Sequence, residues 1–346
     1  MNILDSIRFL ILFLRIKLLN LTSRFPPLPG GVLDEQTALI RRAQAVMGEV
    51  PLDNVTVEKA RADMRNTMKT LKNVGGLFEH VGTIRDMDIP GPEGQIPVRL
   101  YQPGTETGLP IFVFLHGGGW VIGDLDTADN MARFLCKRAH CVVLSVDYRL
   151  APEHPFPAAP ADSYAAVKWA MDHAAEIHGD PRRVLVGGDS AGGNLSAVVA
   201  LMAAPKGGPK LAGQVLMYAA TNGASLDTPS YKEFGEKNYG LPKRDVQWFM
   251  RHYIINTDDW LNPLASPLLA KDLHGLAPAL IVTAEFDVLR DEAEAYAKRL
   301  EEAGVPVKLI RCNGMVHGFL SMLGMVKRAE IYFDQVVAEI KKMVVV

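Results

Sequence analysis

The residue whose surroundings most clearly predict chemistry is Ser190, in the segment GDSAG from Gly188 to Gly192. The segment follows the apolar stretch Arg183–Gly188 and opens a helical stretch at Ala191. A serine in a tight strand-to-helix turn exposes its hydroxyl oxygen, and the glycines leave room for that turn. The first N–H groups of the helix favour negative charge beside it. Ser190 is therefore predicted to be a nucleophile; the alternative, a phosphate-binding turn, lacks the lysine that a P-loop requires.

A second glycine-rich segment, His116-Gly117-Gly118-Gly119-Trp120, ends the apolar stretch Ile111–Leu115. Three consecutive glycines let backbone N–H groups turn towards a substrate oxygen. Each such donor lowers the barrier to acyl transfer by about 3–4 kcal/mol. The segment precedes the Ser190 strand, as expected for an oxyanion loop, whereas an ordinary flexible loop is the alternative interpretation.

A base and an orienting acid are expected to follow the serine in the order Asp, then His. His317 is the histidine that lies beyond the last predicted strand, and it is the predicted general base. Asp287 follows the predicted strand Ala279–Ala284 and is the preferred acid. Asp291 opens a helix, where an acidic residue is commonly a cap, and it remains an alternative together with Glu285.

These roles define a mechanism. His317 would take the proton of Ser190 as the hydroxyl attacks an ester carbonyl, while Asp287 fixes the tautomer of the imidazole. An acyl-enzyme would form, and water activated by His317 would hydrolyse it.

Strands and helices alternate along most of the chain, which predicts an α/β fold with a doubly wound, mostly parallel sheet of eight strands. The central strands are continuous apolar runs, as expected for strands buried on both faces. The predicted strands are His80–Ile89, Pro97–Tyr101, Ile111–Leu115, Cys141–Asp147, Arg183–Gly188, Gly213–Ala219, Ala279–Ala284 and Pro306–Arg311. The predicted helices are Asp126–Arg138, Ala159–Ile177, Ala191–Ala203, Asp291–Ala303 and Ser321–Met343, with a helical pattern over Asp34–Leu71. The stretch Thr221–Leu264 breaks the alternation and is predicted to be a helical cap.

Composition narrows the function classes. The 346 residues carry a formal net charge of −2, so no basic excess points to nucleic acid. The three cysteines form no CxxC pair, which favours a reducing, cytoplasmic location. No cofactor and no metal is expected; the expected partner is a small-molecule ester, and a homodimer is left open.

The first 21 residues are strongly apolar but interrupted by charges. No uncharged window is long enough for a spanning helix, and no cleavage site of a secretory signal follows. Two hypotheses remain: the segment packs as an amphipathic helix on the cap, or it lies on a membrane surface.

Five segments together resemble the hormone-sensitive lipase-like family of α/β-hydrolase esterases. They are HGGGW at 116–120, DYRLAPEHPFPAA at 147–159, GDSAGG at 188–193, DVLRDE at 287–292 and HGF at 317–319. The resemblance implies the α/β-hydrolase fold and the triad Ser190, Asp287 and His317. It also implies oxyanion donors at Gly118, Gly119 and Ala191, with Gly117 adjacent.

The resemblance further implies a cap built from the N-terminal helices and the 221–264 insertion, on a catalytic domain spanning 76–346 after an N-terminal helical segment of residues 1–75. We also predict an ion pair between Asp147 and Arg149 near the glycine loop. Trp120, Tyr218 and Met315 are candidates for substrate contact because they neighbour the predicted catalytic residues.

The resemblance also implies a preference for short- to medium-chain acyl esters, so the predicted function is hydrolysis of such carboxylic esters. An arylacetamide-type deacetylase is the alternative that the apolar N-terminus keeps open. A non-catalytic binder of the same fold is disfavoured, because receptors resembling this family lack the triad histidine whereas His317 is present.

Overall fold

A computed structural model describes residues 14–16, 19, 25–26, 28–46, 50–75, 79–204, 208–237 and 239–345. Within these residues one sheet has eight strands: β1 (Thr83–Gly91), β2 (Gly94–Gln102), β3 (Leu109–Leu115), β4 (Val142–Val146), β5 (Gly179–Asp189), β6 (Gly213–Met217), β7 (Ala279–Phe286) and β8 (Val307–Val316). Their order across the sheet is β1-β2-β4-β3-β5-β6-β7-β8. β2 pairs antiparallel with β1 and β4, and the remaining pairs are parallel. The predicted mostly parallel eight-stranded sheet is confirmed.

Helices connect the strands and cover both faces of the sheet. They are α1 (Glu35–Val46), α2 (Val57–Gly75), α3 (Leu125–Ala139), α4 (Ala158–Asp172), α5 (Ala191–Ala203), α6 (Pro229–Phe234), α7 (Lys243–Tyr253), α8 (Arg290–Glu302) and α9 (Lys327–Met343). The helical pattern predicted over Asp34–Leu71 is two helices, because Pro51 cannot continue a helix and a 3-10 turn, Leu52–Asn54, follows it.

The core lies on both sides of the central strands, since successive side chains of a strand point to opposite faces. Phe112 and Phe114 of β3 pack in one cluster with side chains of α3 and α9. Ile111 and Val113 pack in another cluster with α4 and α5. All seven residues of β3 are buried, which explains why its sequence is a continuous apolar run rather than an alternating one.

The predicted cap segment, Thr221–Leu264, contains α6, α7 and a 3-10 turn at Thr257–Leu261. Its aromatic residues pack onto the glycine-rich loop. The ring of Trp120 stacks on Tyr253 at 4.3 Å between centroids, and Trp260 lies 6.0 Å from Trp120. These contacts hold the insertion over the carboxyl ends of the parallel strands.

Most of the apolar segment Met1–Leu21 lies outside the described residues, so both hypotheses about it stay predictions. Among the helices that are described, none has the length and the apolar character needed to cross a membrane.

Candidate active site

Ser190 lies in the turn between β5 and α5, as its neighbours predict. Its backbone has φ 54° and ψ −116°, in the left-handed half of conformational space that few L-residues adopt. A Cβ at Gly188 or Gly192 would approach the carbonyl oxygen of Leu115 to 2.1 Å or 1.9 Å. Both glycines are therefore required by the close approach of β3, and the turn holds the serine oxygen away from the sheet.

An imidazole lies between the Ser190 hydroxyl and a buried carboxyl group. His317 Nε2 is 3.0 Å from Ser190 Oγ, and His317 Nδ1 is 2.8 Å from Asp287 Oδ2. The Asp287 side chain is fully buried, and its Oδ1 accepts the backbone N–H of Leu289 at 3.0 Å. An imidazole in this position can accept the serine proton while the carboxyl group keeps the proton of Nδ1 in place.

The two alternative acids make other contacts. Asp291 accepts the backbone N–H of Ser230 at 2.7 Å and the Nε–H of Arg290 at 2.8 Å. Glu285 accepts the backbone N–H groups of Gly31 and Gly314. The structure therefore brings Asp287, rather than either neighbour, to His317.

The glycine-rich loop is fixed by a partly buried acid, Asp189. The N–H of Gly117 donates to Asp189 Oδ1 at 2.8 Å. The carbonyl oxygen of Gly117 accepts a hydrogen bond from His116 Nδ1 at 2.7 Å. The resemblance places Gly117 next to the predicted oxyanion donors, and in the structure its N–H donates to Asp189, so Gly117 anchors the loop. Gly118 and Gly119 follow at φ 115° and 59°, in the left-handed region that favours glycine, and both line the same cavity as Ser190.

Burial sets the protonation of the groups beneath the loop. Desolvation raises the pKa of Asp189 to about 6, although the Gly117 N–H and nearby His317 oppose the rise. Desolvation lowers the pKa of His116 below its usual value, so this imidazole is neutral at pH 7. Asp189 was not singled out from the sequence; an acidic residue amid the apolar end of a buried strand is the signal that could have found it.

Ser190 opens into a cavity of about 330 Å³. Its outer wall is largely apolar and comes from the N-terminal helix α2, from the cap and from the loop before α8: Met64, Met68, Leu226, Val246, Phe249, Met250, Trp260 and Leu289. Of the predicted contact residues, Trp120 lines this cavity, whereas Tyr218 and Met315 are not among its lining residues. The ring of Tyr218 instead packs edge-on against His317 at 5.1 Å.

The predicted ion pair between Asp147 and Arg149 is wrong. The Arg149 guanidinium binds Asp162 at 2.8 Å and Glu93 at 2.6 Å. Asp147 is two residues earlier and lies 4.0 Å from His116 Nε2. Desolvation raises its pKa to about 6, helped by the nearby Asp124. The nearby Asp147 is not the partner, because α4 brings Asp162, thirteen residues after Arg149, next to the guanidinium.

One contact had no sequence signal. Arg61 of α2 donates from Nε to the carbonyl oxygen of Val121 at 2.8 Å and from Nη2 to that of Ala151 at 2.9 Å. Nη1 and Nη2 of the same guanidinium also donate to the two carboxylate oxygens of Glu153. The N-terminal helix is thereby tied to the chain that follows the glycine loop.

No cluster of three or more His, Cys, Asp or Glu side chains suited to a metal ion occurs in the part of the chain that the structure describes. The groups around Ser190 are those of acyl transfer: a hydroxyl, an imidazole, a buried acid and a bend of backbone amides.

Known proteins are similar to this chain in sequence and in fold. The sequence pattern that defines the alpha/beta hydrolase fold family matches residues 112–321. The carboxylic ester hydrolase LipN of Mycobacterium tuberculosis is 46% identical over 303 residues, which is 85% of this chain and 78% of that protein. The ethyl acetate hydrolase of Pseudomonas putida is 33% identical over 299 residues, which is 84% of this chain and 92% of that protein.

A solved structure agrees with the sequence matches. The hyperthermophilic esterase from Pyrobaculum calidifontis superposes with a TM-score of 0.86 at 38% identity, covering 90% of this chain and 99% of that one. Sequence identity of 38–46% over most of both chains shows common ancestry, and not only a similar fold. The chain therefore belongs to the α/β-hydrolase fold family, and it is a serine carboxylesterase of that family.

Proposed function

We propose that this carboxylesterase hydrolyses short- to medium-chain acyl esters through a triad of Ser190, His317 and Asp287. The observation that carries the proposal is the unbroken path from hydroxyl to carboxyl group: 3.0 Å from Ser190 Oγ to His317 Nε2, and 2.8 Å from His317 Nδ1 to Asp287 Oδ2. Both separations are hydrogen bonds, so a proton can leave the serine as its oxygen attacks a carbonyl carbon.

The reaction has two halves. Ser190 Oγ attacks the ester carbonyl while His317 Nε2 takes the proton, and the tetrahedral intermediate collapses when His317 returns that proton to the departing alcohol. Water then gives a proton to the same nitrogen and attacks the acyl-serine carbonyl carbon. When the bond from that carbon to Ser190 Oγ breaks, His317 returns the proton to Ser190 Oγ and the acid is released. Asp287 stabilises the imidazolium that forms in each half.

The oxyanion is stabilised, in this proposal, by the N–H groups of Gly118, Gly119 and Ala191. Ala191 is the first residue of α5, so its N–H points out of the helix towards the serine. The bond from Gly117 to Asp189 supports the arrangement, because it fixes the residue before the two loop donors. Preorganised donors of this kind need no rearrangement when charge develops.

The size and polarity of the cavity support the preference for acyl length. About 330 Å³ is near the lower end of small-molecule pockets, and its walls are mainly apolar. A relative named for ethyl acetate hydrolysis, 33% identical to this chain, acts on a short acyl ester. A C16 acyl chain would have to displace the aromatic and methionine side chains of the cap.

The proposal is tested with p-nitrophenyl esters from acetate to palmitate and a matched p-nitroanilide. We expect the highest kcat/KM between C2 and C8, a steep fall beyond that range, and slow anilide turnover. Ser190→Ala should lower kcat by about 10⁶-fold on every ester, because the covalent route is lost. Wild-type turnover in this variant, or maximal activity on palmitate, would contradict the proposal.

A further inference from the structure

The two strands that carry His317 and Asp287 change register just before these residues. Ala284 of β7 pairs with Cys312 of β8, but Phe286 pairs with Val316. One residue of β7, Glu285, therefore faces three of β8, at positions 313–315. Such a bulge interrupts the ladder of backbone hydrogen bonds and bends the strand.

This bulge decides which side chain meets Asp287. Without the two extra residues, the pairing of Ala284 with Cys312 would continue and bring Met315 opposite Asp287. With them, Asp287 and His317 follow the paired residues Phe286 and Val316 directly. A shift by two residues also keeps the side chain on the same face of the strand. The geometry of the proposed triad thus depends on the bulge.

Glu285 fills the gap that the bulge creates. Its Oε2 accepts the buried N–H of Gly314 at 2.8 Å, and Gly314 is the middle one of the three β8 residues that face Glu285. Gly314 has φ 77°, and a Cβ there would approach Leu28 Cδ1 to 2.5 Å and the Val32 carbonyl oxygen to 3.0 Å. The bulge is therefore a tight left-handed turn whose buried N–H is satisfied by one side chain.

The N-terminal segment binds the same bulge. Glu285 Oε1 accepts the N–H of Gly31, and the N–H of Asp34 donates to the Gly314 carbonyl oxygen at 3.1 Å. Asn313 donates from Nδ2 to the carbonyl oxygen of Leu28 at 3.1 Å. Residues 28–34 thus cover the bulge and share one carboxyl group with it.

We propose that Glu285 is a positioning residue for His317: its carboxyl group joins the N-terminal segment at Gly31 to the β8 bulge at Gly314 and so sets the register that brings His317 to Asp287. The inference rests on the triad of the proposed function. It gives a role to the acid that the sequence left as an alternative to Asp287.

The test is Glu285→Gln, which keeps the size of the side chain but turns an NH₂ group towards one of the two N–H donors. Displacing a reacting group by about 1 Å can cost about 10²-fold in rate, so we expect kcat on p-nitrophenyl acetate to fall by that order while KM changes by less than about twofold. The acid limb of the kcat/KM profile should move to lower pH, because an imidazole held less well by a carboxyl group is a weaker base.

Glu294→Gln is the matched control. Glu294 also links β7 to β8, since it accepts from Thr283 Oγ1 at 2.9 Å and from Arg311 Nε at 2.8 Å, but these two residues pair with each other in the regular ladder before the bulge. It should keep wild-type kcat and the wild-type acid limb. Equal losses of kcat in the two variants, or an unchanged acid limb in Glu285→Gln, would overturn the proposal. General destabilisation of the sheet would affect both variants alike and would leave the acid limb in place.

If Glu285→Gln does not accumulate as folded protein, Glu285→Asp carries the test, since it keeps the carboxyl group but shortens the side chain that joins the N–H groups of Gly31 and Gly314. A smaller loss of kcat with the same shift of the acid limb supports the proposal, and wild-type values overturn it. Ser190→Ala separates the two levels of inference. If that variant is inactive while Glu285→Gln matches its control, the positioning role alone fails; if Ser190→Ala keeps wild-type turnover, the triad itself fails.

Discussion

Three acidic residues within a span of seven, at positions 285, 287 and 291, are candidates in the sequence for the acid that binds the imidazole of His317. In the structure, each of the three carboxyl groups binds a different partner. Asp287 is buried against His317, Asp291 holds the Ser230 N–H of the cap, and Glu285 joins two backbone amides. A residue of the right type at about the right distance along the chain is therefore insufficient for the role, because the direction of each side chain decides its partner.

This assignment predicts different effects for the same substitution at two of these sites. Asp287→Asn should lower kcat by about 10⁴-fold, because an amide stabilises the wrong tautomer of His317. Asp291→Asn should stay within about tenfold of wild type, since it loses one cap contact worth about 1–3 kcal/mol of stability at most. Steady-state kinetics on p-nitrophenyl acetate measures both; a larger loss at Asp291 would reverse the assignment.

At the scale of elements, the site depends on pieces that are distant in sequence. β3 supplies the glycine loop, β5 and α5 the serine, and the bulge of β8 the imidazole. The N-terminal helix α2 contributes through Arg61, whose guanidinium holds two carbonyl oxygens in the chain beyond the glycine loop. The N-terminal helix therefore shapes the cavity wall and also binds the backbone that follows the proposed oxyanion donors.

Removing the Arg61 guanidinium should weaken catalysis without changing any residue that lines the cavity at Ser190. We expect Arg61→Met to lower kcat/KM by about tenfold, because losing charge-assisted hydrogen bonds of about 1.5–3 kcal/mol lets the loop relax. Arg65→Met is the control: Arg65 lies one turn further along α2, is half-exposed and binds only the Asp124 carboxyl group at 3.2 Å among the contacts described. Identical kinetics in the two variants would show that α2 does not secure the loop.

At the scale of the whole molecule, buried acids make stability depend on pH. Glu292 of α8 lies next to the cavity, where its Oε1 accepts the N–H groups of Thr221 and Asn222 at 2.7 Å and 3.1 Å. Desolvation raises its pKa to about 8; the two N–H donors oppose this rise and nearby Asp287 adds to it. The folded state therefore keeps Glu292 protonated at neutral pH, whereas the unfolded chain ionises it above its ordinary pKa of about 4.3.

The sign of the effect follows from proton binding. Between the two pKa values the folded state holds one proton more than the unfolded state, so raising the pH favours unfolding. We expect the free energy of unfolding of the wild type to fall between pH 5 and pH 8 relative to that of Glu292→Gln, which keeps the acceptor oxygen but cannot ionise. Denaturant titrations across this range measure the difference. Glu302→Gln, at an exposed site of the same helix, should follow the wild type; parallel curves for wild type and Glu292→Gln would contradict the pKa argument.

The division into residues 1–75 and a catalytic domain from 76 stays a prediction. What supports it is that α2 lines the cavity beside the 221–264 insertion, so the N-terminal segment and the insertion form one wall. What complicates it is the docking of residues 28–34 on the β8 bulge, which ties the N-terminal segment to the catalytic strands as well.

The sequence by itself determined the features that depend on local physics. Continuous apolar runs, the strand–turn–helix around Ser190 and the three glycines after β3 each follow from neighbouring residues, and they were sufficient to predict the sheet and to single out the serine. The histidine and the preferred acid were predicted from the expected chain order and from their positions after predicted strands. Only the tertiary structure decided the rest. The partner of Arg149, the anchoring of Gly117 by Asp189 and the register that sets His317 beside Asp287 join residues from 13 to more than 70 positions apart or depend on one bulge. Such contacts are chosen by the geometry of packed strands, because a shift of two residues that leaves the apolar pattern unchanged still decides which side chain meets which.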